Sequence, residues 1–318
     1  MIRKEIMRLN LLSKILYILV RIGSYTPVFI IIIIQSVRHK LNPKILLKTN
    51  TLFPHSGIFT PKSAIDAKFS VNGNSRYFAK LTKLSCTSIW SVNLEKVEEF
   101  MIENKINYPI ILKPENSVEG IGLRYIENRD RLKEVLPDLS EDYIAQEYVS
   151  WPHELSVFYL KYPSCPKGKI WSITERIIIT ESKNDPKIVA PHNRIYYNDL
   201  TYMKTVELDK VFLKLSSIDG FNFGRFDVKV RDMNEFLLKG SGFMILEVNL
   251  GATSMALHAF ENKWNLFKMY KVINEQFAFA LEIASENMHD VSRSQLNQDY
   301  RIFIHKYFTF IKSTFYKL

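Results

Sequence analysis

Two segments of the sequence, 224–230 and 242–250, alternate in a way that predicts two β-strands, each with one polar face. Side chains two positions apart share a face of a strand. On this reasoning the first segment places on one face Arg225, Asp227 and Lys229. The second segment places on one face Ile245, Glu247 and Asn249. Pairing of the two strands would therefore bring Asp227 close to Glu247 and Asn249.

Three oxygen-bearing side chains held by rigid strands suit a hard cation. Magnesium prefers oxygen ligands and takes few of them from the protein when substrate phosphates supply the rest. Taken alone, the two segments support a metal site and a hairpin with a polar outer face equally well, because short patterns often match by chance. The weight of each interpretation depends on what the rest of the chain contains.

Length and charge narrow the classes of protein to consider. A chain of 318 residues can bury a sizeable core and suggests two or three structural units. The net charge is +10, but residues 1–62 contain ten basic residues and one acid, so they carry +9 and the remainder is nearly neutral. A basic nucleic-acid-binding body is therefore disfavoured, and we expect no nucleic acid partner. Cys86 and Cys165 have neither metal-binding nor disulfide-type spacing, which fits a reducing cytoplasm.

The basic N-terminal end holds two apolar runs, 9–20 and 28–34. Each is shorter than the roughly 20 residues that a spanning helix needs, and joining them would place Lys14 and Arg21 in hydrocarbon. Two interpretations stay open: helices packed on the body, or an interfacial anchor in which residues 1–48 meet an anionic membrane surface. We therefore expect a cytoplasmic protein that is either free or peripheral at the inner face of the membrane. The sequence does not indicate an oligomeric state.

Between the two ends, short strands alternate with helices. The pattern predicts strands over residues 76–90, 108–114, 123–126, 143–149, 154–160 and 169–180. It predicts helices beginning near Lys62 and over residues 93–104, 130–136, 207–217, 264–283 and 300–315. Strands with many hairpin-like neighbours predict an α+β fold with antiparallel sheets. The sequence has no Gly-rich dinucleotide fingerprint and no P-loop, so a bound nucleotide would be held by another arrangement.

Two further segments carry candidate ligands for a nucleotide. Lys113 ends an apolar strand and precedes a loop that contains Ser117 and Gly120, so the lysine and the loop amides could hold a phosphate. The backbone after the strand at Gln146–Val149 could face an adenine, with Glu154 on the ribose hydroxyls. Taken singly, a surface lysine before a turn and an acid at a strand end are the simpler interpretations.

In this order, the segments resemble the ATP-grasp ligases, and most closely the D-alanine–D-alanine ligase-like branch. The match consists of Lys-Pro with a Ser/Gly loop, Gln-Glu-Tyr-Val with a following Glu, Gly-Arg-Phe-Asp-Val, and Leu-Glu-Val-Asn. It covers roughly residues 56–260, and the order of four motifs is more specific than any one of them. The resemblance implies ATP held between two antiparallel-sheet subdomains and magnesium-dependent activation of a carboxylate as an acyl phosphate.

The resemblance also implies roles for individual residues. Contacts with ATP fall on Lys62, Lys113, Ser117, Gly120, Gln146, Glu147, Val149 and Glu154. Two Mg²⁺ ions, which Mn²⁺ could replace, fall on Asp227, Glu247 and Asn249. Catalytic roles at the transferred phosphate fall on Arg225 and Lys113. Substrate contacts fall on Ser254, Arg176 and Arg194; the two arginines and His192 are candidates for the phosphate ligand that the family supplies near residues 180–205.

The expected organisation is an apolar and basic segment over residues 1–55, a central subdomain over 56–147, a C-terminal subdomain with the metal site over 148–290, and a helical tail over 291–318. Two features depart from the family pattern. Glu115 and Glu119 stand in a loop that is usually richer in Gly and Ser. A full N-terminal substrate domain does not fit before Lys62, which argues against D-alanine as the first substrate.

The sequence therefore predicts an ATP-dependent ligase that joins a small-molecule carboxylate to an amine and releases ADP and phosphate. An alternative from another class is a non-catalytic nucleotide-binding scaffold associated with a membrane, which the altered loop and the missing substrate domain motivate. A third interpretation is an adenylate-forming enzyme, which would release AMP.

Overall fold

The protein is seen in a computed structural model that describes residues 26–117, 120–165, 167–180, 188, 193–252, 254–261, 265–289 and 291–317, with side chains described as far as residue 309. The helices are α1 (26–38), α2 (Lys62–Phe69), α3 (Trp90–Asn104), α4 (Arg129–Val135), α5 (Val206–Leu215), α6 (Met233–Lys239), α7 (Leu266–Glu286) and α8 (Arg293–Lys317). The strands are β1 (Leu81–Leu84), β2 (Ile110–Pro114), β3 (Arg124–Ile126), β4 (Tyr143–Glu147), β5 (His153–Leu160), β6 (Lys169–Ile179), β7 (Arg194–Asp199), β8 (Phe223–Val230) and β9 (Phe243–Leu250).

The strands form two antiparallel sheets, which confirms the predicted α+β fold. A four-stranded sheet has the order β1-β4-β2-β3, and a five-stranded sheet has the order β7-β6-β5-β8-β9. The small sheet packs against α3 and α4 around a core that includes Leu84, Val97 and Leu132. The predicted C-terminal helical tail is present as α8. None of the helices in the described part of the chain is long and apolar enough to cross a bilayer.

The large sheet is covered on both faces, and one of these faces changes from apolar to polar side chains along its length. On β5, alternate residues Leu155 and Val157 pack with α5 in one core. On the opposite face, Phe158 and Leu160 pack under α7 in a second core. Further along that face, β5 carries two polar residues, Glu154 and Ser156, in place of apolar ones. The polar end of this face is where the candidate site lies.

One predicted strand is shorter in the structure, and two observed elements have no predicted counterpart. The strand predicted over 76–90 is limited to β1, because residues 74–77 form a 3₁₀ turn and α3 begins at Trp90. Strand β7 was not predicted; it is a half-exposed edge strand with no clean apolar alternation. Helix α6 was also not predicted, because seven residues give little periodicity; Asp232 caps it by accepting from the Glu235 amide at 2.8 Å.

The predicted face of Ile245 is wrong because β9 contains a bulge. Asp227 pairs with Glu247, but the next residue, Val228, pairs with Ile245, so Leu246 is an extra residue in β9. An extra residue reverses which side chains point to which face. Ile245 is therefore fully buried in the core instead of sharing the face of Glu247.

The two sheets are joined along the outer edge of β9, at and beside this bulge. The Gln146 side-chain amide, from the small sheet, donates to the Leu246 carbonyl at 3.0 Å. The Ala79 amide donates to the Ile245 carbonyl at 3.0 Å. These bonds hold the small sheet against the large one and leave a cleft between the sheets. The cleft is narrow, with a free volume of about 10 Å³, and it is lined by Lys62, Ile65, Asp66, Phe78, Leu81, Ile144, Leu246, Glu247 and Val248.

Candidate active site

The pairing of β8 with β9 brings together the residues predicted as metal ligands. Asp227 lies opposite Glu247, and Arg225 lies opposite Asn249. The Asn249 amide donates to Asp227 Oδ2 at 2.9 Å. The juxtaposition predicted from two alternating segments is therefore present in the fold.

Asp227 is buried, and donors surround its carboxylate. It accepts from Ser156 Oγ at 2.7 Å and from Arg225 Nε at 2.8 Å and Nη2 at 3.1 Å. Arg176 Nη2 lies 2.6 Å from Asp227 Oδ2. Burial alone would raise the pKa of this carboxyl group, but Arg176 and Arg225 outweigh burial and hold the pKa well below its ordinary value. Asp227 is therefore ionised.

Arg176 links Asp227 to a second buried carboxylate. Its Nη1 donates to Glu154 Oε1 at 2.8 Å, and Lys229 Nζ lies 3.2 Å from Glu154 Oε2. Burial would lower the pKa of Arg176, but Asp227 and Glu154 raise it further than burial lowers it. The result is a chain of alternating charges across β6, β5 and β8. The predicted ribose ligand Glu154 is thus engaged with two cations and only 5% exposed.

Lys62 connects the loop after β2 to strand β9, which carries the predicted metal ligand Glu247. Its Nζ donates to the Ser117 carbonyl at 3.0 Å and lies 3.6 Å from Glu247 Oε1. The Glu247 side chain keeps 29% of its surface exposed, so it faces the cleft more openly than Asp227 does. The structure therefore brings predicted nucleotide contacts Lys62 and Ser117 to the edge of the predicted metal set.

Lys113 faces the same group of charges from β2. Its side chain makes no hydrogen bond or ion pair with any residue that the structure describes. Burial lowers the pKa of this lysine, and Glu247 is the strongest opposing influence, ahead of Glu154 and Asp227. A lysine without a described partner, near carboxylates and beside a loop, is suited to an anionic ligand.

The unexpected acid in the loop after Lys113 has a structural role. Glu115 is 2% exposed and accepts from the Ser63 amide at 3.0 Å and from the Ser63 hydroxyl. Its backbone carbonyl accepts from the Lys62 amide at 3.3 Å. Glu115 therefore caps the first turn of α2. Glu119 lies outside the described residues.

The predicted adenine segment is in part committed to structural contacts. Gln146 is 2% exposed, and its side-chain amide donates the hydrogen bond to the Leu246 carbonyl that joins the sheets. The Glu147 carboxylate accepts from the Lys80 amide at 3.2 Å, and Val149 is buried. Gly120, in the loop after β2, has φ of 70°, a conformation that favours glycine.

The turn after β9 is held by a residue that sequence reasoning missed. Gln276 on α7 is fully buried and donates to the Ser254 carbonyl at 3.0 Å, and it accepts from the Ala256 amide at 2.9 Å. Arg225 Nη1 donates to the Met255 carbonyl at 2.8 Å. Arg225 thus contacts the residue that follows Ser254, a predicted substrate contact. The only available signal was a glutamine within the apolar stripe of α7.

One predicted residue, Arg194, is not brought to this cluster. Arg194 stands exposed at the start of β7, opposite Ile179. His192 lies outside the described residues. A third residue, His258, packs against Trp171 with ring centroids 5.1 Å apart, and burial lowers its pKa, which matches a structural histidine.

The ligand chemistry of Asp227, Glu247 and Asn249 fits magnesium. All three offer oxygen, and they stand on two hydrogen-bonded strands. Asp227 is fully bonded, so an ion would have to replace one of its guanidinium partners. Among the described residues no group of three or more His, Cys, Asp and Glu side chains is arranged to hold a metal. The set of Asp227, Glu247 and Asn249 contains two acids and one amide.

Comparisons with known proteins find similar proteins only among solved structures. No family model matches the chain, and no curated protein matches it. A D-alanine–D-alanine ligase from Bacillus anthracis has a TM-score of 0.44 and 14% identity, over 72% of this chain and 68% of that one. The VanG D-Ala:D-Ser ligase from Enterococcus faecalis has a TM-score of 0.43 and 16% identity, over 72% and 61%. A carboxyaminoimidazole ribonucleotide synthase from Aspergillus clavatus, complexed with ATP, has a TM-score of 0.41 and 14% identity, over 61% and 45%.

D-alanine ligases, the branch that the sequence motifs resemble, are thus among the solved structures to which this chain is similar.

Proposed function

We propose that this protein is an ATP-dependent ligase of the ATP-grasp type that joins a carboxylate to an amine through an acyl phosphate. The observation that carries the proposal is the convergence of Asp227, Glu247 and Asn249 on paired strands, with Lys62 3.6 Å from Glu247. Lysines and acidic oxygens around one cleft are what the binding of a metal–polyphosphate requires.

In the proposed complex, ATP lies in the cleft between the two sheets. Lys62 and Lys113 meet its phosphates, and the loop that contains Ser117 and Gly120 covers them. The segment from Gln146 to Val149 borders the adenine, and Glu154 is the candidate for the ribose. Because the Gln146 side chain already donates to the Leu246 carbonyl, we expect the adenine to contact the backbone of this segment rather than the glutamine side chain.

Asp227, Glu247 and Asn249 would hold one or two Mg²⁺ ions. When bound, magnesium would supply charge neutralisation and orientation of the phosphates. Glu247 is the ligand best placed to meet an ion first, because Lys62 at 3.6 Å is its one described ion-pair partner.

The protein's own groups serve phosphoryl transfer by position and charge. A substrate carboxylate oxygen attacks the γ-phosphorus, and the bond to ADP breaks. The amine then attacks the acyl carbon, the bond to phosphate breaks, and the amine proton leaves to solvent. Arg225 contacts both Asp227 and the turn at Met255, so it stands between the metal strand and the proposed acceptor side. Lys113 would balance negative charge on the transferred group.

The test is ADP release from ATP and Mg²⁺ over a panel of amino, hydroxy and sugar acids with amine acceptors, followed by product mass. Glu247→Gln should lower magnesium-dependent turnover by about 10²- to 10³-fold, and circular dichroism should show an intact fold. Glu134→Gln, which changes an exposed acid on α4, is the matched control and should keep full turnover. Equal turnover in the two variants would end the proposal.

One observation favours a second candidate, a non-catalytic nucleotide-binding scaffold. Asp227 is already saturated by Arg176, Arg225, Ser156 and Asn249. Calorimetric binding of ATP without ADP release across the whole panel would support the scaffold. Release of AMP would instead indicate an adenylate-forming enzyme.

A further inference from the structure

Helix α1 is apolar on both its inner and its outer face. Its inner face includes Val28, Ile31 and Ile32, which pack into the apolar core shared with α7. Gln35 is 2% exposed and its amide donates to Asn274 Oδ1 at 2.7 Å, so the helix is anchored to α7 in one orientation. Its outer face is therefore defined by the fold.

The outer face presents five large apolar side chains to the surroundings. Their exposed fractions are 58% for Phe29, 51% for Ile30, 58% for Ile33, 54% for Ile34 and 72% for Val37. Positions 29, 30, 33, 34 and 37 fall on one side of a helix. Contiguous exposed apolar residues of this kind mark an interaction surface. We call these five residues the outer α1 face.

The charge around the outer α1 face distinguishes between its candidate partners. Arg38 and Lys40 are exposed directly after its last residue. Residues 1–62 contain ten basic residues and one acid. A second copy of the chain would bring two positive surfaces together, which like-charge repulsion opposes. A bilayer with anionic headgroups offers acyl chains to the apolar residues and negative charge to the basic ones.

We propose that the outer α1 face docks on an anionic lipid bilayer, with the helix lying in the interface. This proposal is independent of the proposed ligase activity. The inner face of α1 belongs to the same apolar core as Ala252 and Ala256, in the turn beside the candidate site. Docking through α1 would thus hold the turn after β9, the proposed binding region for the acceptor substrate, in a protein attached to the membrane surface.

The first experiment measures co-sedimentation of the full chain with vesicles. Vesicles of phosphatidylcholine and phosphatidylglycerol should bind the protein, and vesicles of phosphatidylcholine alone should bind it far less. Ile30→Asp and Ile33→Asp should each weaken partitioning roughly tenfold. Ile102→Asp is the matched control, since Ile102 is an apolar residue 77% exposed on α3, and this variant should bind as the parent does.

Three outcomes would overturn the proposal. One is the absence of vesicle binding at low salt, where electrostatic attraction is strongest. Another is equal binding by Ile33→Asp and Ile102→Asp, which would place the contact elsewhere. The third is a dimer in sedimentation velocity that Ile33→Asp dissociates, which would assign the outer α1 face to a second copy.

A second measurement tests whether another part of the chain covers the outer α1 face. Ile33→Cys, with the exposed Cys86 and Cys165 changed to Ser, would carry an environment-sensitive dye. In buffer the dye should report water, and anionic vesicles should shift its emission to the blue. A dye that is already shielded in buffer in a monomer, and unaffected by vesicles, would contradict docking on lipid.

Discussion

Asp227 is the side chain at which most contacts of the site meet. Its carboxylate is shared by Arg225, Arg176, Ser156 and Asn249 at distances of 2.6 to 3.1 Å. Buried ion pairs add little net stability when intact, but removal of one partner leaves an uncompensated charge. The contacts around Asp227 therefore serve to position the oxygens of the proposed metal site more than to stabilise the fold.

Removal of Arg176 should be costly because it leaves both Glu154 and Asp227 less compensated. We expect Arg176→Ala to lower the free energy of unfolding by about 3 kcal/mol or more, measured by urea denaturation at pH 7. Arg131→Ala removes a surface pair with Glu134 and should leave stability nearly unchanged. If the two variants had equal stability, the contacts of Arg176 would not carry the energy assigned to them.

At the scale of elements, α2 is positioned by an acid from another part of the chain. Glu115 follows β2 and accepts from the Ser63 amide at 3.0 Å, while Lys62 begins the helix. An acid at a helix N-terminus compensates the free amides and the positive end of the helix dipole. The same contact sets the start of α2, and with it the position of Lys62 beside Glu247.

Glu115→Ala should therefore affect both stability and nucleotide affinity. We expect a loss of about 1–2 kcal/mol in stability and roughly tenfold weaker ATP binding by calorimetry, equivalent to about 1.4 kcal/mol. Asn128→Ala removes the cap of α4, where the side chain accepts from the Arg131 amide at 2.9 Å. It should cost about 1 kcal/mol without a change in affinity. Equal ATP binding by both variants would contradict the positioning role of Glu115.

At the scale of the whole molecule, the two sheets meet at β9. The bonds from Gln146 and Ala79 to the carbonyls of Leu246 and Ile245 join the small sheet to the edge of the large one. A ligand held between the sheets would contact both and add to these bonds. Binding to the folded state alone raises stability by mass action.

ATP with Mg²⁺ should therefore raise the melting temperature, by roughly 5 °C at a hundredfold excess over the dissociation constant. Addition of EDTA should remove most of the shift, because the proposed metal set would be empty. Lys113→Met should lose the shift, and Lys96→Met, at an exposed position of α3, should keep it. A shift of the same size in both variants would exclude Lys113 from the site.

Most of the secondary structure and the proposed metal set followed from local patterns. Alternation predicted β8 and the course of β9, and these strands pair so that Asp227 faces Glu247. A strand has a period of two residues regardless of its partners, so the sequence alone specifies which side chains share a face until an irregularity intervenes. The bulge at Leu246 is such an irregularity, and it placed Ile245 in the core.

What only the tertiary structure decided are the contacts between residues far apart in the chain. Gln146 reaches Leu246 across 100 positions, and Ser156 reaches Asp227 across 71. Periodicity describes the faces of one element, whereas these contacts depend on the strand order and on how the two sheets pack. For the same reason the sequence could place Lys62, Asp227 and Glu247 on separate elements, but only the fold brings Lys62 and Glu247 to one cleft and Asp227 opposite Glu247.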